Sequence, residues 1–214
     1  FQDAAGSEPT ADLGPEVLRL TDMLAELLPD DPEVLGLAAL VQLGEARRAA
    51  RVDAAGRMIP LSEQDCTLWD NRLIGSVARA MQRAAALGRS GPYQLMAAIH
   101  LTHARRKAEG RTDWAAILKL YDLLIQLRPG PVVAINRAIA LARVEGAEAG
   151  LVAIEALGDE KIERYRPWQA ARAHLLAQTG DREVVAAAYR NALALSPAWA
   201  ERLFLEAKLR ETSA

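Results

Sequence analysis

The sequence predicts an all-α fold built from stacked helix pairs, and three observations carry that prediction. A tyrosine and a proline eight residues apart occur twice, as Tyr121 with Pro129 and Tyr189 with Pro197. The copies lie 68 residues apart, twice the roughly 34-residue period of a tetratricopeptide helix–turn–helix unit. Their flanks correspond: Asp113 with Asp181, Ile117 with Val185, Leu124 with Ala192, and Leu127 with Leu195. Second, the chain is 51% hydrophobic but only 5% aromatic, so its apolar content is mainly alanine and leucine, the best helix formers. Third, proline recurs where helices should start, at Pro32, Pro92, Pro131, Pro167 and Pro197. At the first helical position proline loses no hydrogen bond and presets the backbone angle. The expected architecture is a tetratricopeptide-like right-handed α-solenoid of about ten helices.

Residues 1–14, rich in Gly, Ala, Asp and Pro, read as a flexible lead-in to one helical domain over 15–214. Pro15 opens a helix carrying Val17, Leu18, Thr21, Leu24 and Leu28 at helical spacing. Pro29-Asp30-Asp31-Pro32 turns the chain into a second helix, which extends toward Arg51. Regularity then fails. Residues 52–65 read as an insertion with an exposed turn at Ala55-Gly56, in the manner of a small hairpin. Ser62, Gln64 and Asp65 are expected to open the next helix, running through Trp69, Val77 and Met81 to Leu87, with Gly88 and Gly91 ending it. Further helices are expected from Pro92 to about His103, Asp113 to Leu127, Pro131 to Val144, Ala147 to Leu157, Arg166 to Gln178, Asp181 to Leu195, and from Pro197 onward. A weak boundary falls near Arg89, between the irregular and the regular parts. Small residues at Ala97, Ala98, Ala134, Ala138, Ala170, Ala171 and Ala173 mark where helices should approach closely.

A net charge of −2 and a pI near 6.0 argue against autonomous nucleic-acid binding. The single cysteine, Cys66, excludes an internal disulfide and a cysteine zinc site, and fits a reducing, cytoplasmic compartment. No apolar run reaches the roughly 20 residues that span a bilayer. The chain opens with Phe1, which reads as a fragment or a processed product.

The search for chemistry returns little. His100 and His103 share a helix face but lack further ligands at matching spacing; ordinary groove or surface histidines are the simpler reading. The serines sit in no nucleophile elbow, and no glycine-rich phosphate loop is present. No cofactor is expected. Arg47, Arg48 and Arg51, and likewise Arg105, Arg106 and Lys107, either complement helix C-termini or meet an acidic partner. Trp69 is either core or a contact surface beside the insertion. Asn136 and Arg137 sit mid-helix among apolar residues, where asparagine has no propensity reason to be. They are read either as groove residues or as internal hydrogen-bonding groups. With Tyr93, Gln94, His100 and Arg172 they fall on the first helices of pairs, which line the concave side of tetratricopeptide arrays.

The motif order is more telling than any single motif. It runs from Leu27-Leu28-Pro29-Asp30-Asp31-Pro32-Glu33-Val34-Leu35-Gly36-Leu37 through Ala46-Arg47-Arg48, Gly56-Arg57 and Trp69-Asp70. Gly91-Pro92-Tyr93-Gln94-Leu95, Asp113-Trp114, Leu120-Tyr121-Asp122 and Pro131-Val132-Val133 with Asn136-Arg137-Ala138 follow. The ordered set, covering most of residues 15–210, resembles the C-terminal tetratricopeptide-like extension of a group of bacterial extracytoplasmic-function RNA polymerase sigma factors. The resemblance implies a regulatory module without enzymatic activity. Its partners would be the sigma regions of the same polypeptide or core RNA polymerase, with DNA reached only through sigma regions that would precede Phe1. Departures occur at Phe1-Gln2-Asp3-Ala4-Ala5, where such proteins often carry Phe-Asn-Glu-Gly-Tyr, at Cys66-Thr67-Leu68, and at Gly75-Ser76. The expected contact surface comprises Arg47, Arg48, Arg51, Trp69, Tyr93, Gln94, Asn136, Arg137 and Arg172. A peptide-binding adaptor unrelated to transcription, and a small-molecule or metal sensor using the His100/His103 face, are the rival expectations.

Overall fold

A computed structural model of the chain describes residues 13–195 and 197–213. The expected lead-in and the Phe1–Ala5 departure lie outside the described residues, Leu13 and Gly14 excepted. The fold is all-α. Among the described residues there are eleven α-helices: α1 (Gly14–Leu27), α2 (Pro32–Ala46), α3 (Asn71–Ala86), α4 (Pro92–Glu109), α5 (Trp114–Leu127), α6 (Pro131–Glu145), α7 (Ala147–Glu155), α8 (Glu160–Glu163), α9 (Arg166–Leu176), α10 (Arg182–Ala194) and α11 (Trp199–Ser213). The described residues form two compact units. One contains residues 13–51 and 59–128, the other Val52–Met58 and residues 129–213.

In the first unit α2 is apolar on nearly every side and buries Leu35, Gly36, Ala38, Ala39, Leu43 and Ala46. A helix apolar all round must be central, and α2 packs against α1, α3 and α4. Ala39, Leu43, Val77, Met81 and Ala97 form the core between these helices. The α2–α4 contact is very close. A methyl group on Gly36 would lie 2.6 Å from the Gln94 amide nitrogen and 2.8 Å from the Tyr93 carbonyl carbon. Next to it the Glu33 carboxylate caps α4 from another helix, accepting from the Tyr93 N–H (2.9 Å) and the Gln94 N–H (3.1 Å). These are two of the orphan donors at the start of α4, whose dipole favours a negative charge there. A Cβ on Gly91 would overlap the same carboxylate.

Aspartates set the helix starts. Asp31 accepts from the Glu33 and Val34 amides, Asp70 from those of Arg72 and Leu73, and Asp113 from that of Ala116. Asp70 also corrects the sequence reading. The helix expected from Ser62 begins at Asn71, because Asp65 caps only a short 3-10 turn, Cys66–Leu68, and Trp69 is extended with φ −82° and ψ 140°. Likewise α2 stops at Ala46, and a 3-10 turn over Arg48–Ala50 replaces its expected continuation.

In the second unit, Val52–Met58 forms the expected turn. A single antiparallel bridge joins Val52 to Met58, Gly56 adopts φ +78°, and the Met58 N–H donates to the Ala200 carbonyl (3.0 Å). Ile135, Ala138, Ala142, Ile154, Trp168, Ala171 and Leu175 make one core. Ala173, Leu176, Val185, Ala188, Tyr189, Ala192 and Leu205 make another. Here too a glycine permits contact, since a Cβ on Gly150 would overlap that of Ala142 and lie 2.9 Å from the Ala138 carbonyl oxygen. The short α8, started by Asp159 accepting from the Lys161 and Ile162 amides, is absent from the sequence reading. Pro197 precedes α11 by two residues instead of opening it.

The 68-residue correspondence is structural. Asp181 caps α10 through the Glu183 and Val184 amides, as Asp113 caps α5. Ile117 and Val185 are both buried, as are Leu124 and Ala192. Each unit layers consecutive helices against one another, as helix-pair arrays do.

The α2–α4 contact yields a graded prediction. Gly36→Ala should destabilise the protein by about 1–3 kcal/mol, because backbone on both sides must shift. Gly75→Ala, on α3 with its nearest neighbour the Arg79 side chain at 3.8 Å, should be neutral or stabilising by up to ~1 kcal/mol. Urea unfolding followed by circular dichroism distinguishes the two; equal effects would contradict the packing account.

Candidate functional site

The irregular residues 59–69 of the first unit have few backbone partners of their own, and two arginines supply them. Arg106, on the last turn of α4, donates to the carbonyls of Leu61 (3.1 Å), Ser62 and Gln64 (2.8 Å). The same guanidinium lies 3.1 Å from the Cys66 sulfur and stacks 5.3 Å from the centre of the Trp69 ring. Five donors in a planar fork suit this task, which the point charge of a lysine cannot perform. Arg47, directly after α2, is buried. It donates to the Leu43 carbonyl (3.1 Å), to Gln64 Oε1 (3.4 Å) and to His100 Nδ1 (3.2 Å). Gln64 is buried as well and donates to the Ile59 carbonyl (3.1 Å). Arg51 donates to the Gly44 carbonyl.

These contacts fix the state of the histidines. A guanidinium has no acceptor, so the His100 Nδ1 facing Arg47 must be unprotonated. Burial, and then the Arg47 charge, hold the His100 imidazole well below its ordinary range. His103 is buried with its ring edge-on to Trp114, the ring centres 5.1 Å apart. Burial, helped by Arg106 and Arg47, lowers its pKa to about 3. Its Nδ1, like Trp69 Nε1, is buried without a hydrogen-bond partner among the described residues. No group of three or more His, Cys, Asp or Glu able to hold a metal ion occurs among the described residues.

The sequence-derived contact residues fall into different environments. Arg47, Trp69 and Gln94 point inward. Trp69 is 3% exposed and packs with Ala50 and Ala104, and Gln94 donates to the Arg89 carbonyl at 2.8 Å. Tyr93 is half-buried with the Arg128 guanidinium 5.9 Å from its ring centre. Arg48 forms an exposed ion pair with Glu45 at 2.6 Å. In the second unit the Nδ2 of Asn136 donates to the Val132 carbonyl one turn back (3.0 Å). Arg137 beside it is half-buried. Arg172 pairs with Glu155 (3.1 Å) and lies 5.7 Å from the Trp168 ring centre.

The structure therefore joins Arg47 with His100, and Trp69 with Arg106, inside the first unit. It leaves Arg48 exposed and Tyr93 half-buried in that unit, and Asn136, Arg137 and Arg172 half-buried in the other. Sequence reasoning missed Glu33 and Gln64, and gave Arg106 no organising role. The available signal was weak: an irregular segment with exposed carbonyls requires a multidentate donor, and Arg106 was one of three adjacent basic residues.

A family profile described as a family of unknown function (DUF6596) matches residues 1–85. The chain is also 38% identical over 205 residues to an uncharacterized protein of Rhizobium meliloti (strain 1021), a match covering 96% of this chain and 48% of that relative. The chain thus spans about half the length of the curated relative it matches. No solved structure matches it. Among the described residues no helix is long and apolar enough to cross a membrane.

Two predictions follow from the arginine contacts. Arg106→Ala should cost about 2–4 kcal/mol and Arg106→Lys nearly as much, because the part-buried carbonyls of Leu61, Ser62 and Gln64 lose a charged donor. Limited proteolysis should then cut within residues 59–69, and resistance equal to wild type would refute the clamp. The second concerns pH. The buried histidines stay neutral while the unfolded chain protonates near pH 6.5, so the unfolded state binds more protons below that pH. Stability should be undiminished above about pH 6.5 and fall as pH drops toward about 3, where His103 itself titrates. His103→Gln should flatten the decline between pH 6.5 and 5 in thermal unfolding, a window above the range of ordinary carboxylates.

Proposed function

We propose that this chain is the regulatory extension of an extracytoplasmic-function sigma factor and modulates transcription initiation by protein–protein contact with the sigma regions or core RNA polymerase. The observation that carries this reading is where the family-like motifs fall. Pro32-Glu33 with Gly36 meets Gly91-Pro92-Tyr93-Gln94 at a single helix contact. Trp69-Asp70 joins the packed base of the irregular segment to the start of α3, and Asp113-Trp114 opens α5. The residues behind the resemblance are thus the joints of the fold, which supports a shared architecture and not a chance likeness of composition. The relative's length supports the reading further, since about half of it lies outside the match and leaves room for sigma regions. Such a role belongs in the bacterial cytoplasm and requires no catalytic residue.

Within the second unit, Asn136, Arg137 and Arg172 are the side chains we assign to the partner; in the first, Arg48 and Tyr93. The test is a reconstitution. The unmatched half of the Rhizobium meliloti relative is combined with core polymerase in promoter-directed run-off transcription, with and without this chain. The chain should bind that half and change transcript yield. Arg137→Ala should weaken binding roughly tenfold, about 1.4 kcal/mol. Absence of both binding and a transcriptional effect would overturn the proposal.

A further inference from the structure

Among the described residues, the longest run of exposed large apolar side chains lies along α1. Leu13, Val17, Leu20, Leu24 and Leu27 follow one another at spacings of four, three, four and three residues, the spacing of a coiled-coil seam. In an ordinary surface helix this stripe would face the core. Here Leu13 is 65% exposed, Val17 41%, Leu20 51% and Leu27 74%, and Leu24 is half-buried. Met23 and Leu28 flank the stripe and are also exposed. The helix is held through a different face: Thr21 is buried, and Asp22 accepts a hydrogen bond from Gln42 of α2 (2.7 Å). Among the described helices, α1 makes its substantial contact with α2. The strongest apolar pattern on the helix is therefore not the one that fixes it to its unit.

We propose that this stripe pairs with the same stripe of a second copy in a two-fold symmetric dimer. Three features favour a second copy as occupant. The alternating seam is self-complementary, as a two-fold interface requires, and valine with leucine at its alternating positions suits two strands. The rim is electrically quiet. Glu16, which a two-fold axis would bring toward its own counterpart, is already paired with Arg19 at 2.6 Å. Arg19 in turn lies 3.1 Å from the Met23 sulfur, so the Glu16 charge is compensated on its own helix. The area is also sufficient. The exposed fractions of the six residues amount to about three whole large side chains per copy, so two copies would bury about 1,000 Å² or slightly more, the threshold for a specific interface. This inference does not rest on the transcriptional reading.

Sedimentation of the full chain from ~1 to ~300 µM tests it. A monomer–dimer equilibrium is expected within that range, and Val17→Glu with Leu20→Glu should weaken it at least about thirtyfold while leaving the thermal midpoint unchanged. Leu127→Glu, at an exposed position on α5, should leave the dimer intact. Should the double variant unfold, Leu27→Gln, at the most exposed position of the stripe, gives the same reading. A wild-type chain that stays monomeric throughout, as it would if a different polypeptide covers the stripe, overturns the proposal. So does a dimer that survives the α1 substitutions, or one lost equally in the α5 variant.

Discussion

Close approach between helices is the constraint on which both units depend. In the first, α2 and α4 meet at Gly36 with backbone almost against backbone; in the second, α7 meets α6 at Gly150 and Ala142. Such contacts forgo side-chain volume and gain dispersion across many atoms. They also fix spacing, because one methyl group more would move a helix. At the α2–α4 joint the constraint is reinforced by charge. Glu33 completes the hydrogen bonding of α4's first turn, so the helix start is satisfied only when the two helices are docked. Secondary and tertiary structure are coupled at that point, which favours a cooperative unit.

Regular helices satisfy their own backbone, and the segment between α2 and α3 does not. Its carbonyls turn to Arg106, while Arg47 ties the end of α2 to Gln64 and His100. Both guanidinium groups donate to neutral acceptors, and that of Arg106 also faces the Trp69 ring, so hydrogen bonds and the ring offset part of their desolvation. Burial, and then the same positive surroundings, keep His100 and His103 neutral. Of this histidine pair, one has a ring nitrogen facing an arginine and the other lies edge-on to a tryptophan. The arginines that looked like surface charge in the sequence divide into two kinds. Arg47 and Arg106 hold the fold, and Arg48 stays at the surface with Glu45.

The helix count and most helix starts were legible because their causes are local. Proline at a first turn and an aspartate whose carboxylate reaches back to the second or third amide act within four residues. Where sequence reasoning failed, two local signals competed. Asp65 and Asp70 are both competent caps, and the extended Trp69 between them, pulled into the Ala50–Ala104 cluster, decides that only the second begins α3. Asn136 shows a similar limit. Local propensity gave no reason for its mid-helix position, and in the structure its amide donates to the Val132 carbonyl one turn back.

What the sequence determined by itself was the all-α class, the capping of its helices and the equivalence of the Asp113 and Asp181 segments. Periodicity and capping are short-range properties, and composition supplied the rest. Only the tertiary structure decided that Glu33 serves α4 and not its own helix, that Arg106 organises a loop some 40 residues away in sequence, and that the best apolar stripe of α1 is left facing outward. Those outcomes depend on which helices become neighbours, and neighbourhood follows from close packing across the whole unit, which no window of local sequence contains.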